Sequence, residues 1–132
     1  MAWMVRHIAI LSAAVGLVLA PRPAVAGGCG PVVSEQLTGP TLNAVVPDGR
    51  AIADESRFMC GGTTLLTVQV SNVNLPDGTV LDVSLDFMPV GTITLSRMAG
   101  VVTRDLGHFA LSNDEVRVTY QGNFVLIGAF FR

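Results

Sequence analysis

The 132-residue sequence has few of the side chains that enzymes and nucleic-acid-binding proteins use. It contains two histidines, two cysteines, one tryptophan and one tyrosine, and all eight basic residues are arginine. Ten acidic residues outnumber those arginines, so no basic stripe is available for a phosphate backbone. We therefore expect no nucleic-acid partner, and an acidic surface equally disfavours docking on anionic lipid.

The N-terminal segment has the organisation of a secretory signal peptide. Arg6 precedes an uncharged apolar run over residues 8–20, which is shorter than the roughly 20 residues of a membrane-spanning helix. Prolines at positions 21 and 23 end that run, and small residues follow at positions 24 and 26. The pattern predicts a signal peptide over residues 1–26, cleaved after Ala26, and hence a periplasmic or secreted protein with no stable membrane span after processing. An uncleaved signal anchor and a lipoprotein attached through Cys29 are the alternatives.

Cleavage at that point leaves 106 residues, which suits one domain. Residues 27–62 predict an irregular lead-in with one to three short strands, and residues 63–132 predict the main strands. Cys29 and Cys60 are the two cysteines, and an even pair in an exported chain predicts a disulfide that tethers the lead-in. Two free buried thiols are the alternative, and a metal site is disfavoured because the spacing is not C-x-x-C.

Period-two alternation dominates the second half of the chain. Apolar residues alternate with polar ones in residues 64–70, 81–87, 92–95 and 115–120, as in half-buried strands. In the second of these segments the inward set ends at Phe87, and Asp86 is expected to face outward. Turn signals recur every 8–12 residues or so, and no helical period follows the leader. The sequence predicts an all-β protein, a single antiparallel β-sandwich of the immunoglobulin-like kind with seven or eight strands.

Five further features are predicted from local sequence signals. Residues 41–46 could form a strand, residues 47–49 a turn, and residues 50–54 a strand that pairs back across it. Met88 and Pro89 are expected to interrupt the strands around them. Residues 124–131 are apolar on both faces, which predicts a central strand or one covered by another part of the molecule.

Three motifs resemble a group of small bacterial exported proteins. The strings are NLPDGTVL at residues 74–81, VGTITL at residues 90–95 and GNFVLIGAF at residues 122–130, and residues 37–51 are also similar. Together they cover most of the chain that follows the leader. The resemblance implies a single secreted β domain, and that group has no established activity or catalytic residues to transfer.

Few residues suggest catalysis or metal binding. His108 is the only histidine after residue 26, and no G-x-S-x-G elbow accompanies it. Asp114 and Glu115 belong to an oxygen-rich turn and are weak calcium candidates, because calcium requires six to eight oxygen ligands. Trp3 lies in the leader and Tyr120 on the apolar face of its strand, so carbohydrate binding lacks an exposed aromatic platform.

We therefore expect a non-enzymatic domain without a cofactor that acts by protein interaction in the cell envelope or outside the cell. Such a domain should have an exposed apolar patch or an uncovered edge strand. The alternative is a small secreted hydrolase, or a calcium- or ligand-binding domain, in which Asp114, Glu115 and His108 converge.

Overall fold

Eight β-strands and no α-helix occur in the residues that the computed structural model describes, which are 30–56, 60–109 and 111–130. The strands are β1 (Val32–Leu37), β2 (Asp48–Asp54), β3 (Leu65–Ser71), β4 (Val80–Leu85), β5 (Met88–Thr94), β6 (Gly100–Asp105), β7 (Glu115–Tyr120) and β8 (Asn123–Ala129). The predicted signal peptide with its cleavage at Ala26, and Cys29, lie outside the described residues.

These strands form two four-stranded antiparallel sheets. The order in one sheet is β1-β2-β3-β6 and in the other β5-β4-β7-β8. The predicted antiparallel β-sandwich, with its seven or eight strands, is confirmed. In the immunoglobulin constant domain the second strand lies beside the fifth, whereas here β2 lies between β1 and β3.

The core lies between the inner faces of the two sheets, and period-two alternation supplies it. In β3 and β4 every second residue is buried, as the sequence predicts, and in β7 Val116 and Val118 are buried while Tyr120 is half-buried. The buried apolar residues of those three strands are Leu66, Val68, Val70, Leu81, Val83, Leu85, Val116 and Val118. Phe130, which follows β8, is also fully buried.

The chain between β1 and β2 differs from the prediction. Residues 41–46 form a tight turn and no strand, because Leu42 and Val45 exchange two backbone hydrogen bonds across it. The predicted turn at residues 47–49 is also wrong, since Asp48 and Gly49 are the first residues of β2. Gly49 serves close packing there, because a Cβ atom would lie 2.8 Å from Leu126 Cδ1.

The turn between β4 and β5 also differs from the prediction. Asp86 and Phe87 form it, with φ angles of 50° and 71°, and Phe87 is 73% exposed where the alternation predicts a core residue. Positive φ at both central residues is the conformation of a type I′ hairpin turn. Met88 and Pro89 belong to β5, and the proline is tolerated because β5 is an edge strand.

Strand β8 lies at the edge of its sheet, and β1 of the other sheet covers it. Thr38 and Ile127 exchange two backbone hydrogen bonds of 3.0 and 2.8 Å across this seam. Gly39 lets the backbones approach, since a Cβ atom there would lie 1.8 Å from the Val125 carbonyl oxygen. A register irregularity in the β7–β8 pairing accompanies the burial of both Val125 and Leu126. The covering of β8 by β1 therefore explains why the sequence of β8 is apolar.

Candidate interaction surface

The β4–β5 turn is fastened to the beginning of β7. The Asp86 backbone N–H donates to the Glu115 carbonyl oxygen at 2.9 Å. In return the Glu115 backbone N–H donates to Asp86 Oδ1 at 2.8 Å. These two bonds hold the turn in a positive-φ conformation that favours glycine or asparagine and is uncommon for a residue such as Phe87.

Beside this turn, an arginine lies between two exposed aromatic rings. The guanidinium carbon of Arg117 lies 4.0 Å from the ring centroid of Phe87 and 5.0 Å from that of Phe124. Arg117 alternates with the buried Val116 and Val118 and so projects from the outer face of β7. Phe124, at the beginning of β8, is 51% exposed. We call Phe87, Arg117 and Phe124 the aromatic–arginine patch.

Glu115 orients the arginine of this patch. Arg117 Nε donates to Glu115 Oε1 at 2.5 Å, and both side chains are partly buried. A cation within about 6 Å of a ring centroid is attracted by the ring's electron-rich face. The ion pair and the two rings together hold the guanidinium in place, so the patch presents a preorganised surface.

Two aspartates adjoin the patch in sequence, since Asp86 precedes Phe87 and Asp114 precedes Glu115. Asp114 is 6% exposed, and its side chain accepts the Ser112 N–H at 2.6 Å. Burial raises the pKa of Asp114, and a hydrogen bond with the Asp86 carboxyl raises it further. The same bond lowers the pKa of Asp86, as does the backbone bond from Glu115. The two carboxyl groups therefore shift each other's pKa in opposite directions.

The other candidate residues from the sequence, His108 and Glu115, contact different groups. His108 Nδ1 lies 3.0 Å from the Gly62 carbonyl oxygen, on an exposed loop. Glu115 is engaged with Arg117. Residues 30–56, 60–109 and 111–130 contain no group of three or more His, Cys, Asp or Glu side chains that could hold a metal ion. Cys60 lies in the β2–β3 connection, and its pairing with Cys29 stays a prediction.

The sequence does not predict the central members of this surface. Its alternation places Asp86 and Phe87 in a strand, and its apolar C-terminal run places Phe124 in a central or covered strand. The pairing of Ser84 with Arg117 brings the β4–β5 turn beside β7, and no local pattern encodes that register. The Asp-Phe turn itself lacks the glycine by which such hairpins are usually found.

Two depressions are lined by residues other than those of the patch. A cleft of about 340 Å³ is lined by β4, β5 and Arg104 of β6. Arg104 Nε donates to the Val90 carbonyl oxygen and so caps the exposed edge of β5. A smaller polar depression of about 180 Å³ lies over β1, β2 and β3. Neither contains an exposed aromatic residue or a cluster of ionisable groups, so the aromatic–arginine patch is the better candidate.

The described residues include no helix with the length and apolar character needed to cross a membrane. Comparison with models of known protein families, with curated proteins and with solved structures found no match.

Proposed function

We propose that this protein is an exported, non-enzymatic β-sandwich domain that binds a protein partner in the cell envelope or outside the cell. The observation that carries the proposal is the aromatic–arginine patch, with Arg117 held 4.0 and 5.0 Å from two exposed phenylalanine rings. The resemblance to small bacterial exported proteins and the predicted signal peptide support the location.

The composition of the patch is that of an interface centre. Aromatic residues and arginine are enriched at protein interfaces and at the few positions that dominate binding energy. An exposed Phe87 leaves apolar surface in water that a partner can cover. Because β4, β7 and β8 support the patch, little conformational entropy is lost on binding.

The same geometry indicates the chemistry of the partner surface. Glu115 already balances the charge of Arg117, so a complementary partner contributes apolar or aromatic side chains. Backbone carbonyl groups of the partner can accept the guanidinium N–H groups that Glu115 does not use. Binding of this kind is expected to depend weakly on salt, because screening acts mainly on unpaired exposed charges.

Site-specific photo-crosslinking in the producing bacterium tests the proposal. A photoreactive amino acid replaces Phe87 or Phe124, and the matched control replaces Val101, which is 58% exposed on the other sheet. We expect one reproducible protein adduct from both patch positions and none from Val101. The adduct formed from position 124 should disappear when Phe87→Ser is added.

Adducts of equal yield from Val101, or none from the patch, would overturn the proposal. The alternative of a small secreted hydrolase or a calcium- or ligand-binding domain makes a separate prediction. It requires hydrolytic activity or calcium binding that is lost in Asp114→Asn and retained in Phe87→Ser.

A further inference from the structure

We propose that the partner of the aromatic–arginine patch is a second copy of this chain, bound face to face through the outer side of the β5-β4-β7-β8 sheet. This inference rests on the proposed function, since it names the partner of the same surface. The observation that carries it is a pair of opposite charges, Asp82 and Arg104, that line the cleft of about 340 Å³ on this sheet and form no ion pair with each other.

Strand register places the cleft next to the patch on one sheet face. Ser84, which lines the cleft, pairs with Arg117 of the patch. In the next outward-facing row, Asp82 pairs with Thr119, and Thr119 pairs with Phe124. Neighbouring strands lie about 4.8 Å apart, so the backbone at Phe124 is about 10 Å from that at Asp82. The cleft and the patch therefore form one continuous surface that a single partner can cover.

The two charges of the cleft are presented to solvent. Arg104 extends from β6 to the edge of β5, where its Nε donates to the Val90 carbonyl oxygen. Within the residues that the structure describes, the terminal amino groups of Arg104 have no partner, and Asp82 makes no hydrogen bond or ion pair. Asp82 is exposed on the outer face of β4. The cleft thus offers an anchored cation and an exposed anion to a binding partner.

A two-fold axis makes these charges complementary to themselves. In an isologous dimer, every contact between two different residues is repeated with the two copies exchanged. Arg104 of one copy can therefore meet Asp82 of the second copy, and the reciprocal ion pair forms at the same time. A partner that carried charge of one sign would leave either Arg104 or Asp82 facing a like charge. A second copy satisfies both.

The edge of β5 suits a second copy less well than the face does. Pro89 has no backbone N–H to donate, and Arg104 already occupies the Val90 carbonyl oxygen. A copy that paired along this edge would have to displace the arginine. Contact through the outer face leaves that hydrogen bond in place.

The size of the face predicts a weak dimer. Four strands at a spacing of about 4.8 Å, with six or seven residues each at about 3.4 Å, form a face of roughly 19 by 22 Å, or about 420 Å². Each partner in a typical stable complex buries about 800 Å². Exposed Phe87, Met88 and Phe124 add apolar area. Dimerisation should depend on concentration and, through the two ion pairs, on salt.

Sedimentation equilibrium of the protein produced from its full reading frame tests the inference. We expect a reversible monomer–dimer equilibrium whose dissociation constant rises with salt. Asp82→Arg leaves only cations in the cleft and should weaken the dimer at least about tenfold, because the change acts at both symmetry-related contacts. Gln69→Arg introduces the same side chain at an exposed position of the other sheet. This matched control should dimerise as the wild type does.

A mixing experiment separates a contact between copies from an effect within one copy. Arg104→Asp alone should weaken the dimer as Asp82→Arg does. An equimolar mixture of the two variants should form a heterodimer of near wild-type affinity, since one ion pair is then native and the other is reversed. Phe124→Ser leaves the cleft untouched and should also weaken the dimer, which preserves the test if Arg104→Asp fails to fold.

A wild-type protein that stays monomeric at every attainable concentration would overturn the inference. A dimer that Asp82→Arg leaves unchanged, or a mixture of the two folded variants that stays monomeric, would overturn it as well. The crosslinking experiment fails separately. An adduct of positions 87 and 124 with a different protein rejects the second copy and keeps the proposed function. A dimer sensitive to Asp82→Arg, without any adduct from those positions, rejects the patch as the binding surface and keeps the contact at the cleft.

Discussion

Substitution of Leu37 by alanine tests the seam that joins the two sheets. Leu37 is fully buried at the end of β1, and the neighbouring Thr38 bonds to Ile127 of β8. The change removes three carbon atoms, worth about 2.4 kcal/mol at roughly 0.8 kcal/mol for each buried methylene. Because two hydrogen bonds and the close approach at Gly39 fix the surrounding backbone, the cavity cannot collapse. The total loss should therefore be about 3–4 kcal/mol.

The assay is urea unfolding followed by far-ultraviolet circular dichroism, with Val32→Ala as the matched control. Val32 lies on the same strand but is 62% exposed, so its truncation should change the free energy of unfolding by no more than about 0.5 kcal/mol. The reasoning is refuted if Leu37→Ala costs less than about 1 kcal/mol at an unchanged denaturant slope, or if the two variants lose stability equally.

Four further substitutions probe the buried Asp114, the seam between the sheets and the predicted disulfide. The pKa of Asp114 is raised in the folded state, so its contribution to stability is present at low pH and is lost as pH rises from the range in which an exposed aspartic acid ionises through the folded pKa. Asp114→Asn should remove this loss and raise the melting temperature at neutral pH relative to the wild type; a lower melting temperature there would contradict the assignment. Gly39→Ala places a methyl group against the Val125 carbonyl and should destabilise the fold by about 1–3 kcal/mol in thermal unfolding, whereas an unchanged melting temperature would refute the close approach. Cys29→Ser and Cys60→Ser should each cost roughly 3–4 kcal/mol by opening a loop of about 30 residues. Mass spectrometry without reductant should find no alkylated cysteine in the wild type, and two alkylated thiols would exclude the disulfide.

The fold was predictable where one face of a strand is buried and the other is exposed to solvent. Residues 64–70 and 115–120 alternate because each strand buries one face in the core. The period of the alternation therefore predicts a strand, and its apolar residues predict the buried face. The proline-aspartate-glycine signal at residues 76–78 also marks a real turn, in which Gly78 has a φ of 88°.

Prediction failed where long-range packing decides the local conformation. Gly49 suggests a turn in sequence, but the approach of Leu126 explains the glycine. Phe87 continues an alternating pattern in sequence, yet the chain reverses at Asp86, whose backbone N–H and side chain both bond to the backbone of Glu115, 29 residues further along the chain. The order of the strands, and with it the covering of β8 by β1, depends on contacts that no window of sequence contains.

The candidate site was only partly predictable for the same reason. The clustering of oxygen-bearing side chains in one turn makes Asp114 and Glu115 candidates in the sequence. The structure gives them different partners, because Glu115 pairs with Arg117 and the Asp114 side chain accepts the Ser112 N–H. His108 contacts the Gly62 carbonyl oxygen in the structure. The aromatic–arginine patch forms from residues on two strands and one turn. Only the register of the sheet brings these residues together.

The affinity of the recovered partner for wild-type and variant protein is the most direct test of the interaction. Isothermal titration calorimetry compares Phe87→Ala with Val101→Ala, two exposed apolar positions on opposite sheets. We predict at least about a 30-fold weaker dissociation constant for Phe87→Ala, corresponding to a loss of about 2 kcal/mol, and wild-type affinity for Val101→Ala. Equal affinities of wild-type protein and Phe87→Ala for the partner would contradict the assignment of this patch as the binding surface.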